Sequence, residues 1–334
     1  MSARNVLLAL LVAAFAASPA SAAESTPEAG AGSSLDELVS SVVHIKTFIN
    51  PDGRTVENLG REREGSGILI DNNGLVLTIG YLMVEAHAAE LATNAGQRVP
   101  ADVVGYDHET GFGLLRAVEP LKIKPMSLGT SAGLKVGDRV LVASSGGVDM
   151  MAPAHVVARR EFAGSWEYLL DQAIFTAPPH PAWSGAALIG QDGKLAGVGS
   201  LIVGDAGGDS TPGNMFVPID RLPPILADLI ADGRVSTALH PWLGVTTNEI
   251  HGRLMVSQVT PGGPAEEAGV QRGDVIVGVN GEKPATLADF YRQVWQQGSA
   301  GVTVHLDVLQ NHELRRFDVK SMNRLDHLKL RSTF

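Results

Sequence analysis

No cysteine occurs in the 334 residues, so thiolate nucleophiles and cysteine-ligated metals are excluded and folding cannot depend on disulfides. The ten histidines are scattered at positions 44, 87, 108, 155, 180, 240, 251, 305, 312 and 327. No two of them form the i, i+4 helical pair beside a glutamate that holds zinc, and neither a metal nor a cofactor is expected. The run from Gly204 to Asp209 is rich in Gly and Asp but lacks the glutamate that closes an EF-hand calcium loop, and it reads as a flexible loop between strands. Serine chemistry needs more than a serine: a base must take the hydroxyl proton, and a third group must orient the base. Ser184 lies in the run His180-Pro181-Ala182-Trp183-Ser184-Gly185-Ala186-Ala187-Leu188, with His180 four residues before it. His87, His108 beside Asp107, and His180 are the imidazoles a relocated base could use. Each reads as an ordinary loop or surface residue unless folding brings it within ~3 Å of the hydroxyl.

The length fits roughly two domains, and 44% hydrophobic with 19% charged residues suits a globular protein with a sizeable core. A net charge of −10 with no basic run argues against nucleic acid as a partner. Arg4, the apolar run from Val6 to Ala17 and the small-x-small sequence Ala20-Ser21-Ala22 read as a secretory signal. Residues 1–22 are expected to be removed near Ala22, placing the protein outside the cytoplasm, in the periplasm; retention as an anchor is the alternative. Residues 23–34 read as a flexible leader. No later segment is long and apolar enough to span a bilayer.

Residues 35–233 read as a mainly β unit. Short apolar runs (Val42 to Lys46, Gly67 to Thr78, Val140 to Ala143, Ala154 to Ala158, Ala173 to Thr176, Leu195 to Val203, Met215 to Pro218) are separated by Gly, Asn and Asp, which favours a barrel or sandwich. Asn73-Gly74 between two such runs predicts a tight hairpin. Leu222, Ile225, Leu226, Leu229 and Ile230 recur at helical spacing and end near Gly233. Residues 234–241 read as a linker. A second unit, 242–322, has strands at Leu243 to Thr246, Leu254 to Val259, Asp274 to Val279 and Val302 to Val308, a turn at Pro261-Gly262-Gly263-Pro264, and a helix with Leu287, Phe290, Tyr291 and Val294 on one face. Residues 323–334 form a tail, either docked or frayed.

The second unit resembles a PDZ domain in Trp242-Leu243-Gly244-Val245, in Pro261 through Val270, and in Gly273-Asp274-Val275-Ile276 followed by Val279-Asn280-Gly281. A PDZ domain captures an extended peptide as an added strand and receives its terminal carboxylate on free backbone N–H groups. The resemblance places that loop at Leu243, Gly244 and Val245, so polypeptide C-termini are the expected partners.

The first unit resembles the protease domain of the HtrA (Deg) family. The resemblance runs through Gly65-Ser66-Gly67-Ile68-Leu69-Ile70, Gly74 to Thr78, Val104 to Asp107, Leu114-Leu115-Arg116, Leu128-Gly129-Thr130-Ser131, Asp192 to Val198 and Met215 to Asp220. The implied architecture is a chymotrypsin-like double β-barrel followed by one PDZ domain. The run ending in Ser184 then resembles the family's Asn-Pro-Gly-Asn-Ser-Gly-Gly-Pro-Leu, with Ser184 at the nucleophile position. The family's histidine, three residues after the threonine matched by Thr78, falls on Tyr81, and its aspartate falls on Gly111. The oxyanion-hole donors fall on the N–H groups of Ser184 and Ala182, where the family keeps glycine at the latter. A phenol with an ordinary pKa near ~10 is a poor base at neutral pH, and glycine cannot orient anything. The expectation is a proteolytically inactive homologue that binds polypeptides in a chaperone-like, adaptor or regulatory role. An active serine endopeptidase of protein quality control with a non-standard base is the alternative. The resemblance also suggests homotrimers, or assembly with active relatives.

Overall fold

The computed structural model describes residues 35–208, 210–236 and 239–330; the expected signal segment, leader and last four residues lie outside them. A short helix, α1 (Leu35–Ser40), leads into β1 (Val42–Ile49), and α2 (Val56–Leu59) leads into β2 (Glu62–Leu69). Then follow β3 (Leu75–Ile79), β4 (Ala86–Ala92), β5 (Arg98–Tyr106) and β6 (Phe112–Ala117). These close into a six-stranded antiparallel barrel in the order β1-β2-β3-β6-β5-β4, with β1 paired to both β2 and β4. Closure leaves no sheet edge unpaired. At Gly67 a Cβ would meet both Ile45 and Val76 side chains at 2.5 Å, so the barrel interior needs glycine there.

The connection between β2 and β3 is broader than the two-residue turn that Asn73-Gly74 suggests. It spans residues 70–74, and one Asp71 carboxylate oxygen accepts from the N–H groups of Asn73 and Leu75, both at 2.8 Å. Only Gly74 of the pair has positive φ (79°), whereas a type I′ turn needs it at both central residues.

The second barrel comprises β7 (Arg139–Ala143), β8 (Met151–Gly164), β9 (Tyr168–Ala177), β10 (Ala187–Ile189), β11 (Leu195–Val203) and β12 (Gly213–Pro218), in the order β10-β11-β12-β9-β8-β7. The strand expected at Ala154 to Ala158 is the middle of β8, whose partner β9 begins only four residues beyond its end. The two form a long hairpin reaching past the barrel. Helix α3 (Pro223–Asp232) follows, ended by Gly233 in the left-handed conformation with its N–H on the Leu229 carbonyl. It lies close on β5: a Cβ at Gly105 would sit 2.7 Å from the Leu229 carbonyl oxygen.

The last unit is a five-stranded sheet in sequence order: β13 (Val245–Ile250), β14 (Arg253–Val259), β15 (Val275–Val279), β16 (Thr303–Gln310) and β17 (Glu313–Lys320). Helices α4 (Pro264–Ala268) and α5 (Leu287–Trp295) accompany it. The expected face of α5, Leu287, Phe290, Tyr291 and Val294, is buried against this sheet. The strand expected from Leu243 starts at Val245, because Gly244 turns at φ 79°. The tail is docked. After α6 (Arg324–His327), the Lys329 N–H donates to Glu85 at 2.7 Å and its carbonyl accepts from Asn50 at 3.0 Å. Among the described residues no helix is long and apolar enough to cross a membrane. The architecture is that of the expectation, mainly β, with a trypsin-like double barrel and a PDZ domain.

Candidate functional site

Three loops bring Tyr81, Gly111 and Ser184 together between the barrels. Tyr81 lies in a 3-10 turn (Gly80–Leu82) directly after β3. That turn is held by the Gly80 N–H on the Gly111 carbonyl at 2.7 Å. Gly111 closes the Asp107–Gly111 turn at φ 80°, where an L side chain is strained. Ser184 precedes Gly185, whose φ is 72°; a Cβ there would meet the Ser66 carbonyl oxygen at 1.9 Å, and the Ser184 carbonyl accepts from the Ser66 N–H at 2.8 Å. The glycine after the serine is therefore required by the backbone contact between the two barrels.

Tyr81 Oη lies 2.8 Å from Ser184 Oγ and donates to the Ser200 carbonyl at 2.9 Å. Ser200 is the unpaired residue where the β11–β12 register slips between Gly199 and Leu201, so the bulge aims its carbonyl into the cleft. With the phenol's single proton on Ser200, the remaining arrangement has Ser184 Oγ–H donating to the phenol oxygen. Burial pushes the Tyr81 phenol up to about 12, against a smaller opposite pull from Ser184 and Trp183. At pH 7 only about one molecule in 10⁵ would carry the phenolate that could act as a base.

Of the two N–H groups expected to form an oxyanion hole, one is engaged. The Ala182 N–H donates to His180 Nδ1 at 3.2 Å. His180 is buried, fixed by Asn214 through its own N–H (2.6 Å) and carbonyl (3.2 Å). Burial lowers its pKa, and its ring also meets the Met150 carbonyl. A neutral ring with Nδ1 accepting from Ala182 leaves Nε2–H for Met150, so both ring nitrogens are spent on the backbone.

The other imidazoles weighed from sequence serve elsewhere. His87 is exposed on β4. His108 is half-buried away from the cleft, with Tyr106 Oη at 2.9 Å from Nδ1 and the Glu167 carbonyl at 3.1 Å from Nε2. Burial first, then Arg324, hold its pKa well below the ordinary value. Asp107 accepts from the Thr110 N–H and hydroxyl at 2.8 and 2.7 Å and so caps its own turn.

The PDZ loop differs from expectation. The N–H groups of Leu243, Gly244 and Val245, expected to await a peptide, donate to the Glu167 carboxylate at 2.9, 2.7 and 3.0 Å. Glu167 sits between β8 and β9, and nothing local in the sequence marks it, since its partners lie 76 to 78 residues away. Ser200 and Asn214 were likewise missed, because one acts through a backbone carbonyl and the other through a backbone contact.

A trypsin-like peptidase domain model matches residues 65–198, and a PDZ domain model matches residues 241–321. A Synechocystis protein described as a serine protease, HhoA, is 30% identical over 292 residues, covering 77% of this chain and 71% of that protein. A DegP-like periplasmic serine endoprotease of Pseudomonas putida is 30% identical over 277 residues, covering 78% of this chain but 56% of its own length, so the chain spans little more than half of that relative. Among solved structures, the HtrA-type protease AlgW with a decapeptide covers 87% of this chain and 99% of its own at 22% identity with a TM-score of 0.52. The serine endoprotease of Yersinia pestis matches at 21% and a TM-score of 0.50, covering 88% and 99%. The double barrel, the PDZ unit and the Synechocystis match converge: the chain belongs to the HtrA family of trypsin-like serine proteases with a PDZ domain.

Proposed function

We propose that the chain is a catalytically degenerate member of this family that works by binding polypeptides in the cell envelope rather than by cleaving them. The carrying observation is the pairing of Ser184 Oγ with the half-buried phenol of Tyr81 at 2.8 Å in the expected position of the base. A hydroxyl attacks a carbonyl only as its proton leaves, and a neutral phenol whose own proton is on Ser200 cannot take it at neutral pH. Gly111 supplies no acid, and the Ala182 N–H is spent on His180. Loss of triad members leaves only the residual rate of the oxyanion hole and of binding, and here one hole donor is also engaged.

The binding role rests on the PDZ unit, whose Leu243-Gly244-Val245 loop has the N–H geometry for a carboxylate. The envelope location rests on the signal-like residues 1–22 and on relatives described as periplasmic. Assembly as a homotrimer or with active relatives belongs to the same proposal.

Fluorophosphonate labelling of the purified protein, with Ser184→Ala as control, and degradation of an unfolded casein test it. The expected result is neither labelling nor cleavage. Ser184-dependent labelling together with cleavage would establish the alternative, an active endopeptidase with an unconventional base.

A further inference from the structure

The buried carboxylate of Glu167 has no role in the serine cleft, yet it is held by three backbone donors. It accepts three backbone N–H groups from one loop, all within 3.0 Å, in the pattern with which such a loop receives a chain terminus. The neighbouring backbone continues the imitation: the Ser165 carbonyl accepts from the Thr247 N–H of β13 at 2.8 Å, as an added strand would. Tyr291 of α5, on the opposite wall of the groove, donates to the Gly164 carbonyl at 2.7 Å and accepts from the Glu167 N–H at 3.2 Å. Ala163 and Leu169, on either side of the tip, pack against the PDZ core. Arg324, beyond the PDZ sheet, donates to the Trp166 carbonyl at 2.7 Å, and His108 reaches the Glu167 carbonyl. Glu167 holds φ at 58°, a left-handed conformation that a non-glycine residue keeps only when its surroundings impose it.

We infer that the β8–β9 hairpin tip, Gly164 to Glu167, is an internal ligand that occupies the PDZ groove with the Glu167 side-chain carboxylate in place of a peptide's terminal carboxylate. The inference rests on the reading of this unit as a peptide-binding module and adds who occupies it. An incoming C-terminus competes for the same three N–H groups, so peptide binding and occupancy of the groove by the hairpin are mutually exclusive. An occupant that keeps the groove closed in 99 of about 100 molecules raises the apparent dissociation constant about 100-fold.

The test uses the full chain after removal of its leader, with Glu167→Gln, which weakens the acceptor, and Tyr291→Phe, which removes the phenolic anchor but leaves the cradle untouched. The probes are fluorescent decapeptides ending in Val, Phe or Ala with a free carboxylate, and the same peptides amidated. Amide exchange across residues 242–247 is followed by mass spectrometry in parallel. Free-acid peptides are expected to bind both variants at least tenfold more tightly than the wild type, amidated peptides not to gain, and exchange at 242–247 to rise in both variants. Equal peptide affinity in all three proteins with unchanged exchange would overturn the internal ligand and leave the groove reading standing. Faster exchange in the variants with no binding of any free-acid peptide would instead overturn the peptide-binding reading, and the competition with it.

Discussion

Tyr81 and Ser184 share a hydrogen bond of 2.8 Å at the junction of two barrels, while Tyr81 also spans to the Ser200 carbonyl. The phenol therefore bridges the cleft as a structural link: it ties the turn after β3 in the first barrel to the bulge of β11 in the second. Tyr81→Phe keeps the ring and removes both bonds, leaving the Ser200 carbonyl without its donor. A loss of about 1–2 kcal/mol in urea denaturation is expected, with no gain of fluorophosphonate labelling at Ser184. A gain of labelling would mean that the phenol suppresses a nucleophile that some other group activates.

All four tyrosines titrate late. Burial pushes Tyr81 and Tyr106 up to about 12 and raises Tyr168 and Tyr291 further. The native state thus keeps phenolic protons that the unfolded chain releases near 10.0. Stability from these groups is fully present below pH 10 and falls as pH rises from about 10 towards 12. Near-ultraviolet phenolate absorbance should stay flat in the native protein up to about pH 10–11 and then appear together with loss of folded circular dichroism. A native phenolate titrating near 9 or 10 would contradict the burial of the cleft tyrosine.

Glycine substitutions separate crowding from backbone preference. Gly185→Ala places a methyl 1.9 Å from the Ser66 carbonyl oxygen at φ 72°. Gly96→Ala faces open space at φ 85°. The second should cost about 1 kcal/mol. The first should cost at least about 3 kcal/mol or prevent folding, since the obstacle is backbone. Denaturation midpoints of the pair give the comparison, and similar midpoints would mean that the barrels can slide apart at this seam.

Glu85 joins the tail to the first barrel. Its buried carboxylate accepts from the N–H groups of Arg54 (3.0 Å), Thr55 (2.7 Å) and Lys329 (2.7 Å) and from the Thr55 hydroxyl (2.6 Å). Arg63, depressed to about 10 by its own burial, lies beside it and shares Thr55. Burial alone would raise the Glu85 pKa, but these hydrogen bonds outweigh it and the net shift is downward. The native carboxyl binds its proton more weakly than the unfolded one, so this stabilisation is present above about pH 4.5 and is lost as pH falls below it. Glu85→Ala should cost about 3 kcal/mol or more by leaving the Arg54, Thr55 and Lys329 N–H groups without their acceptor, and should open the chain at Lys329 to trypsin. An intact tail in that variant would show that the α6 contacts alone hold it.

The sequence by itself carried the architecture, because a barrel and a PDZ unit are written in local signals: apolar runs between turn residues, the face of α5, and the motifs around Ser184 and Gly244. It also supplied the residue types at the proposed triad positions, since the family resemblance places Tyr81 and Gly111 there once Thr78 and Asp107 are in register. What a residue does with its hydrogen bonds was decided only by the fold. Tyr81 is a bridge because a bulge aims the Ser200 carbonyl at it, and Ala182 is engaged because His180 is turned inward by Asn214. The same holds most strongly for Glu167. A carboxylate in a hairpin tip has no pattern that distinguishes it from a solvated one, and its meaning comes from three N–H groups more than seventy residues away that only tertiary packing brings to it. Long-range backbone hydrogen bonds depend on geometry rather than on side-chain type, and geometry of that kind is not legible in the order of the residues.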